Sequence, residues 1–208
     1  FVFYDDVQYT TKDWRNRNKI KTINGDKWLS VPIITKSKRH QLICDAMIDQ
    51  TKNWQKEHFR KITYNYLKAK YFDQYKHILD AIYVENRWSK ISDLDIFAIK
   101  LIASELGIDA IWVRASDLKI HGSKEGEKVI KICKELGCTH FINGPSAKAF
   151  MDEKLFKLEG IQLEYIDYSY PEYRQLFQPF SHEVTILDVL FNCGRGSKRF
   201  TCTKDTEK

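Results

Sequence analysis

Two kinds of hydrophobic pattern alternate along the chain. Some stretches repeat apolar residues every three or four positions, as one face of a helix does, and others are short apolar runs bounded by turn residues, as buried strands are. Residues 1–4 read as a buried strand running into Asp5 and Asp6. Segments 18–22 and 27–34 flank Asn24-Gly25, a pair suited to a tight primed hairpin turn with positive φ, and Pro32 marks the second arm as an edge strand. A helix follows over 52–69, capped by Thr51, with Trp54, His58, Ile62 and Tyr66 on one face. The second helix, 73–83, carries Tyr75, Ile78, Leu79 and Ile82. The third begins after Ser92, which pairs with Asp95 in a capping-box spacing, and stops at Gly107.

Beyond residue 110 the pattern turns to β–α–β: a strand at 110–113, a helix at 124–136 ended by Gly137, and a strand at 139–142. A crossover of that length favours parallel pairing of the two strands. A helix over 146–158, a strand at 161–165 and a last helix at 184–192, closed by Gly194, complete the order. The predicted fold is α/β, with a parallel-rich sheet flanked by helices and a small β-hairpin near the N-terminus. It forms a single domain over 1–194 with a polar tail at 195–208. Neither an internal repeat nor a low-complexity linker interrupts it.

Composition narrows the function classes. With 43% hydrophobic and 30% charged residues in 208, the chain can bury a real core. None of its apolar runs approaches the roughly 20 residues that span a bilayer, and no signal peptide is visible, so a cytoplasmic protein without membrane insertion is expected. The chain opens directly on a strand-like run, which implies that the natural N-terminus lies upstream. Its net charge of +6, from 34 basic and 28 acidic residues, favours anionic ligands such as nucleotides. The basic residues are dispersed except for a dense spot at 12–21, which keeps a nucleic-acid-binding module open. Asp5 and Asp6 beside that spot weigh against it. Five cysteines without a C-x-x-C pair support neither a zinc site nor a disulfide framework.

Four loops carry candidate chemistry. Asp5, Asp6 and Gln8 end the first strand, and Arg15, Asn16, Arg17, Asn18 and Lys19 follow. The carboxylates suit a Mg²⁺ ion shared with phosphate, or proton acceptance from an amine, and the Arg and Asn side chains suit phosphate or carbonyl oxygens. A solvated turn with capping aspartates is the plainer reading. Gly122 and Lys124 lie directly before a helix, as in a phosphate seat without a P-loop or as in an ordinary capped loop. Asn143, Gly144 and Ser146 follow a strand, where α/β folds place ligands and where Gly lets a ligand approach the backbone and Ser146 caps a helix or binds an anion. A βα turn that merely needs Gly and Pro would look the same. His58 has a pKa suited to a general base but an address on a helix face, where a histidine bonded to backbone is the commoner case. Asp188 and Asn192 sit one turn apart among Leu187, Leu190 and Phe191, where Asp188 would satisfy a buried loop.

The ordered set FVFYDDVQYTTKDWRNRNKIKT (1–22), NGDKWLSVPI (24–33), NWQKEHFRKITYNYLKAKYF (53–72), SDLKIHGSKEGEKVIKICKELG (116–137), INGPSAKAFMDEKLF (142–156) and YPEYRQLFQPFSHEVTILDVLFNCG (170–194) resembles the WbqC-like protein family of O-antigen and lipopolysaccharide loci. Members usually carry a strand, a His-Gln-Pro segment and a short helix ahead of the stretch matching Phe1, and here that segment is absent. The resemblance implies a bacterial transferase that joins glycine or another activated amino acid to the amine of a nucleotide-linked amino sugar. Asp6 or His58 would be the base, and the Arg, Asn and Lys positions above would bind substrate. It leaves the donor open between an adenylate made with ATP and Mg²⁺ and an aminoacyl-tRNA. A nucleotide-handling transferase without amino-acid chemistry uses the same site. Acceptor sugar, metal use and oligomeric state are not legible.

Overall fold

The structure, a computed structural model, describes residues 1–12, 14–38, 40–121, 125–168 and 170–201. In chain order, β1 (Val2–Phe3), β2 (Arg17–Thr22) and β3 (Gly25–Ser30) precede α1 (Trp54–Tyr66), α2 (Phe72–Asp80) and α3 (Ile91–Glu105). Then come β4 (Val113–Arg114), α4 (Ala115–Leu118), α5 (Glu125–Glu135), β5 (His140–Asn143), α6 (Glu153–Leu158), β6 (Gln162–Tyr165), α7 (Ile186–Cys193) and α8 (Lys198–Thr201). The fold is α/β with parallel strand pairs and an N-terminal hairpin. Among the described residues no helix is long and apolar enough to cross a membrane.

Two compact units divide the chain. The first joins Phe1–Tyr4 to Trp112–Tyr170. Here β1 pairs in parallel with β4, Val2 opposite Val113, and β5 pairs in parallel with β6. The expected pairing of 110–113 with 139–142 is replaced by these two: the parallel crossover actually formed is β5–α6–β6. Val129, Ile130, Cys133, Phe156 and Ile161 make its core, with Phe141 stacked on Phe156. The helix expected over 146–158 is split. A 3₁₀ turn at Pro145–Ala149 comes first, and α6 starts afresh at Asp152, whose side chain accepts from the N–H groups of Lys154 and Leu155. Ser146 is therefore exposed inside the turn and caps nothing.

The second unit, Asp5–Ile111 with Pro171–Cys202, holds the larger core. Trp54, His58, Ile62 and Tyr66 are all buried on α1, and Ile78, Leu79, Ile91, Leu190 and Phe191 meet them from α2, α3 and α7. Thr51 does not cap α1. Its N–H and hydroxyl turn back to Asp49 at 3.0 and 2.6 Å, and the helix begins three residues later, at Trp54, without a side-chain cap. α3 likewise starts at Ile91 with no capping side chain, Lys90 standing at its N-cap position, and Ser92 is buried in its first turn. In the hairpin, Thr22 pairs with Gly25, so the turn's centre is Ile23-Asn24 and only Gly25 has positive φ (+81°). That is the turn-plus-bulge form, with glycine at its left-handed corner, rather than a primed turn.

Candidate functional site

The hairpin separates two chemistries by strand alternation. Ile20 and Leu29 enter the core of the second unit. The other face carries Arg17, Lys19 and Lys21 on β2, opposite Ser30, Trp28 and Asp26 on β3. Along this face the cations step inward: Arg17 is half-buried, the Lys19 side chain is 21% exposed, and that of Lys21 only 3%.

The buried end joins a ring closed by hydrogen bonds and one ion pair. Asp188, fully buried on α7, accepts from the hydroxyls of Tyr66 and Tyr173, both at 2.8 Å. The Lys21 backbone N–H donates to Tyr66 Oη at 2.8 Å, and Lys21 Nζ lies 3.3 Å from Asp26 Oδ1 while donating to the Pro179 carbonyl. Ser181 Oγ donates to Asp26 at 2.7 Å, and Gln175 bonds the Ser181 backbone on both sides. Gln175 Nε2 then donates to Tyr173 Oη at 3.2 Å, which closes the circuit. Asn192 adds a bond to Asp188 Oδ1 at 3.3 Å. Such a network fixes side chains and backbone together.

Its electrostatics follow from burial. Desolvation pushes the Asp188 carboxyl up, against the two tyrosine hydroxyls that stabilise its charged form. Desolvation and the Asp188 charge raise both phenols, so they stay protonated and donate. Burial also pushes Asp26 upward, but the Ser181 hydroxyl and Lys21 outweigh it and hold that carboxyl low.

The other predicted residues fall as follows. Asp5 is buried and its carbonyl accepts from Cys44 N–H, whereas Asp6 is half-buried and Gln8 exposed. Arg15 donates to Thr10 Oγ1 at 3.3 Å and lies over Trp14. Asn16 donates to the Val31 carbonyl at 3.0 Å, and Asn18, exposed, accepts from Lys19 N–H. Lys19 pairs with Glu183. His58 is 6% exposed, edge-on to Trp54 and Tyr83 and bonded to the Ser30 backbone; burial lowers its pKa to about 4, so its imidazole is neutral near pH 7. In the first unit, Asn143 Oδ1 accepts from Gly144 N–H at 2.8 Å, and Gly144 has φ −72°, a conformation open to any residue. Gly122 and Lys124 lie outside the described residues. A cleft of about 790 Å³ in the same unit runs along β6, between Lys148, Lys157 and Tyr165.

No group of three or more His, Cys, Asp or Glu side chains gathers in ligating geometry among the described residues. Of the two predicted carboxylates Asp5 is buried and Asp6 half-buried, so a Mg²⁺ ion brought by a nucleotide would use Asp6, with phosphate oxygens completing its shell. Lys21, Asp26, Gln175 and Ser181 were not singled out by sequence reasoning. The available signal was Asp188, a carboxylate in the otherwise apolar run Ile186–Phe191, which binds two tyrosines rather than a loop.

The ring draws Lys21, Tyr66 and the residues 173–188 from three separate stretches of the chain. The WbqC-like protein family model matches residues 1–200. The chain is 38% identical over 195 residues to the uncharacterized protein Rv1507c of Mycobacterium tuberculosis (strain ATCC 25618 / H37Rv), covering 93% of this chain and 84% of that one. No solved structure matches. The chain belongs to the WbqC-like protein family.

Proposed function

We propose that the chain is a cytoplasmic transferase of surface-polysaccharide biosynthesis, joining an activated amino acid, with glycine the first candidate, to the amine of a nucleotide-linked amino sugar. The observation that carries this reading is the cationic face of β2, held by the ring at its buried end and open at Arg17 and Lys19. Phosphates of a nucleotide sugar suit such a face, since guanidinium and ammonium groups bind them with charge-assisted hydrogen bonds.

In the reaction, the sugar ammonium first gives up a proton. The free amine attacks the activated carboxyl carbon and a C–N bond forms. The bond to the leaving group, an adenylate phosphate or the ribose oxygen of a tRNA, then breaks. Asp6 is the proton acceptor on grounds of access, because His58 is enclosed by Trp54, Tyr83 and the Ser30 backbone. Arg15, Arg17 and Lys19 bind the phosphates of the sugar nucleotide. Asp188 acts at a distance, by holding Tyr66 against the Lys21 backbone.

Purified protein incubated with a panel of amino-sugar nucleotides and either glycine plus ATP or glycyl-tRNA tests the proposal. Mass spectrometry is expected to find a product heavier by one glycyl residue. Absence of any aminoacylated sugar with both donors overturns it, and AMP or pyrophosphate release independent of added amino acid favours a nucleotide-handling transferase instead.

A further inference from the structure

Trp28 stands on the polar face of the hairpin with 49% of its surface exposed. The Arg17 guanidinium lies 4.2 Å from its ring centroid and Lys19 Nζ 5.2 Å. Exposing that much indole forgoes burial that the core of the second unit offers at the next residue, Leu29, and an exposed cation–π contact returns only about 0.5–1 kcal/mol. Beyond that contact Arg17 is uncommitted: among the described residues it makes no ion pair, and its buried Nε has no hydrogen-bond partner. Lys19 is engaged with Glu183, but that partner is 77% exposed and held by an exchangeable surface ion pair.

We infer that Trp28, Arg17 and Lys19 form a nucleotide seat, in which the indole stacks the base of a nucleoside diphosphate while Arg17 and Lys19 bind its phosphates. This rests on the proposed use of a nucleotide-linked substrate and assigns the base a residue. A flat heteroaromatic ring joined to two phosphates meets both features at once: the half-exposed indole and the guanidinium that makes no ion pair among the described residues. A long nucleic acid fits less well, because Glu183 and Asp26 border the same face and would repel a continuous run of phosphates.

Isothermal titration of the purified chain with UDP, ADP, GDP, CDP and dTDP tests the seat without requiring turnover. At least one is expected to bind, with affinity falling as salt rises, and Trp28→Ala is expected to weaken it about tenfold or more, the range for one base on one aromatic ring. Trp28→Phe retains most of the affinity. Inorganic pyrophosphate binds more weakly than the preferred nucleotide and is indifferent to Trp28→Ala, whereas Arg17→Gln weakens both. Circular dichroism checks that each variant is folded. The seat is overturned if none of the five binds, if Trp28→Ala leaves nucleotide affinity intact, or if a single-stranded RNA ending in CCA binds far more tightly than every nucleoside diphosphate. Nucleotide binding without aminoacyl transfer would preserve the seat and remove the amino-acid reaction alone.

Discussion

His58 and Asp188 are both polar groups buried on helix faces that otherwise pack the same core, yet their surroundings could hardly differ more. His58 meets two aromatic edges and one backbone group. Asp188 meets the amide of Asn192 on its own helix and two phenols, of which Tyr66 is tied onward to β2 and Tyr173 to Gln175. The first region spends a polar atom on packing. The second uses a carboxylate to lock β2, α1, α7 and the segment 173–181 into one arrangement. Burial of a polar group therefore says little until its partners are traced.

The sharpest way to break the contrast is Asp188→Ala. It strands two buried phenol donors and empties space, so a loss of about 3–5 kcal/mol in chemical denaturation is expected. A loss below about 1 kcal/mol would mean the ring does not organise the unit. Tyr66→Phe removes one hydroxyl that both donates to Asp188 and accepts from Lys21. It should cost less, about 1–3 kcal/mol in the same measurement.

Acid separates the two regions by sign. His58 has a folded pKa of about 4 against 6.5 unfolded, so the unfolded state binds more protons between those values. Stability from keeping it neutral is complete above pH 6.5 and falls as pH drops toward 4, by about 3 kcal/mol in all. Asp188 runs oppositely: its folded pKa is raised, so its contribution is fullest below the ordinary carboxylate pKa and is lost as pH rises through the raised value. His58→Leu should flatten the wild-type decline between pH 6.5 and 4. Urea midpoints measured across that range check it, and an undiminished decline in the variant would assign the acid sensitivity elsewhere.

Much of the framework was legible. The spacing of Trp54, His58, Ile62 and Tyr66 named a buried helix face correctly, and Gly107 and Gly137 follow helix ends as expected. Local rules failed where two neighbours competed for the same backbone groups, as when Asp49 took Thr51 away from the helix start. Strand partners and the ring failed for another reason. Tyr66 and Asp188 stand 122 residues apart, and no periodicity within a window encodes a contact made at that range. Asp188 in an apolar run announced that partners must exist without saying which.

Gly194 links the packing to the backbone. Its φ is +60°, and an added Cβ would fall 2.7 Å from the Tyr71 ring, so Gly194→Ala strains both. A loss of about 1–3 kcal/mol is expected by thermal or urea unfolding, smaller than the loss at Asp188. The smallest effect belongs to the surface: Glu183→Gln breaks the pair with Lys19 and should change stability by less than about 1 kcal/mol.

The central claim is that the ring presents the β2 cations to the phosphates of a nucleotide-linked sugar. Steady-state glycyl transfer by Arg17→Gln beside the wild type tests it most directly. The account predicts a KM for the sugar nucleotide raised about tenfold or more at nearly unchanged kcat, as expected for lost ground-state binding. An unaltered KM in a folded Arg17→Gln variant would contradict it.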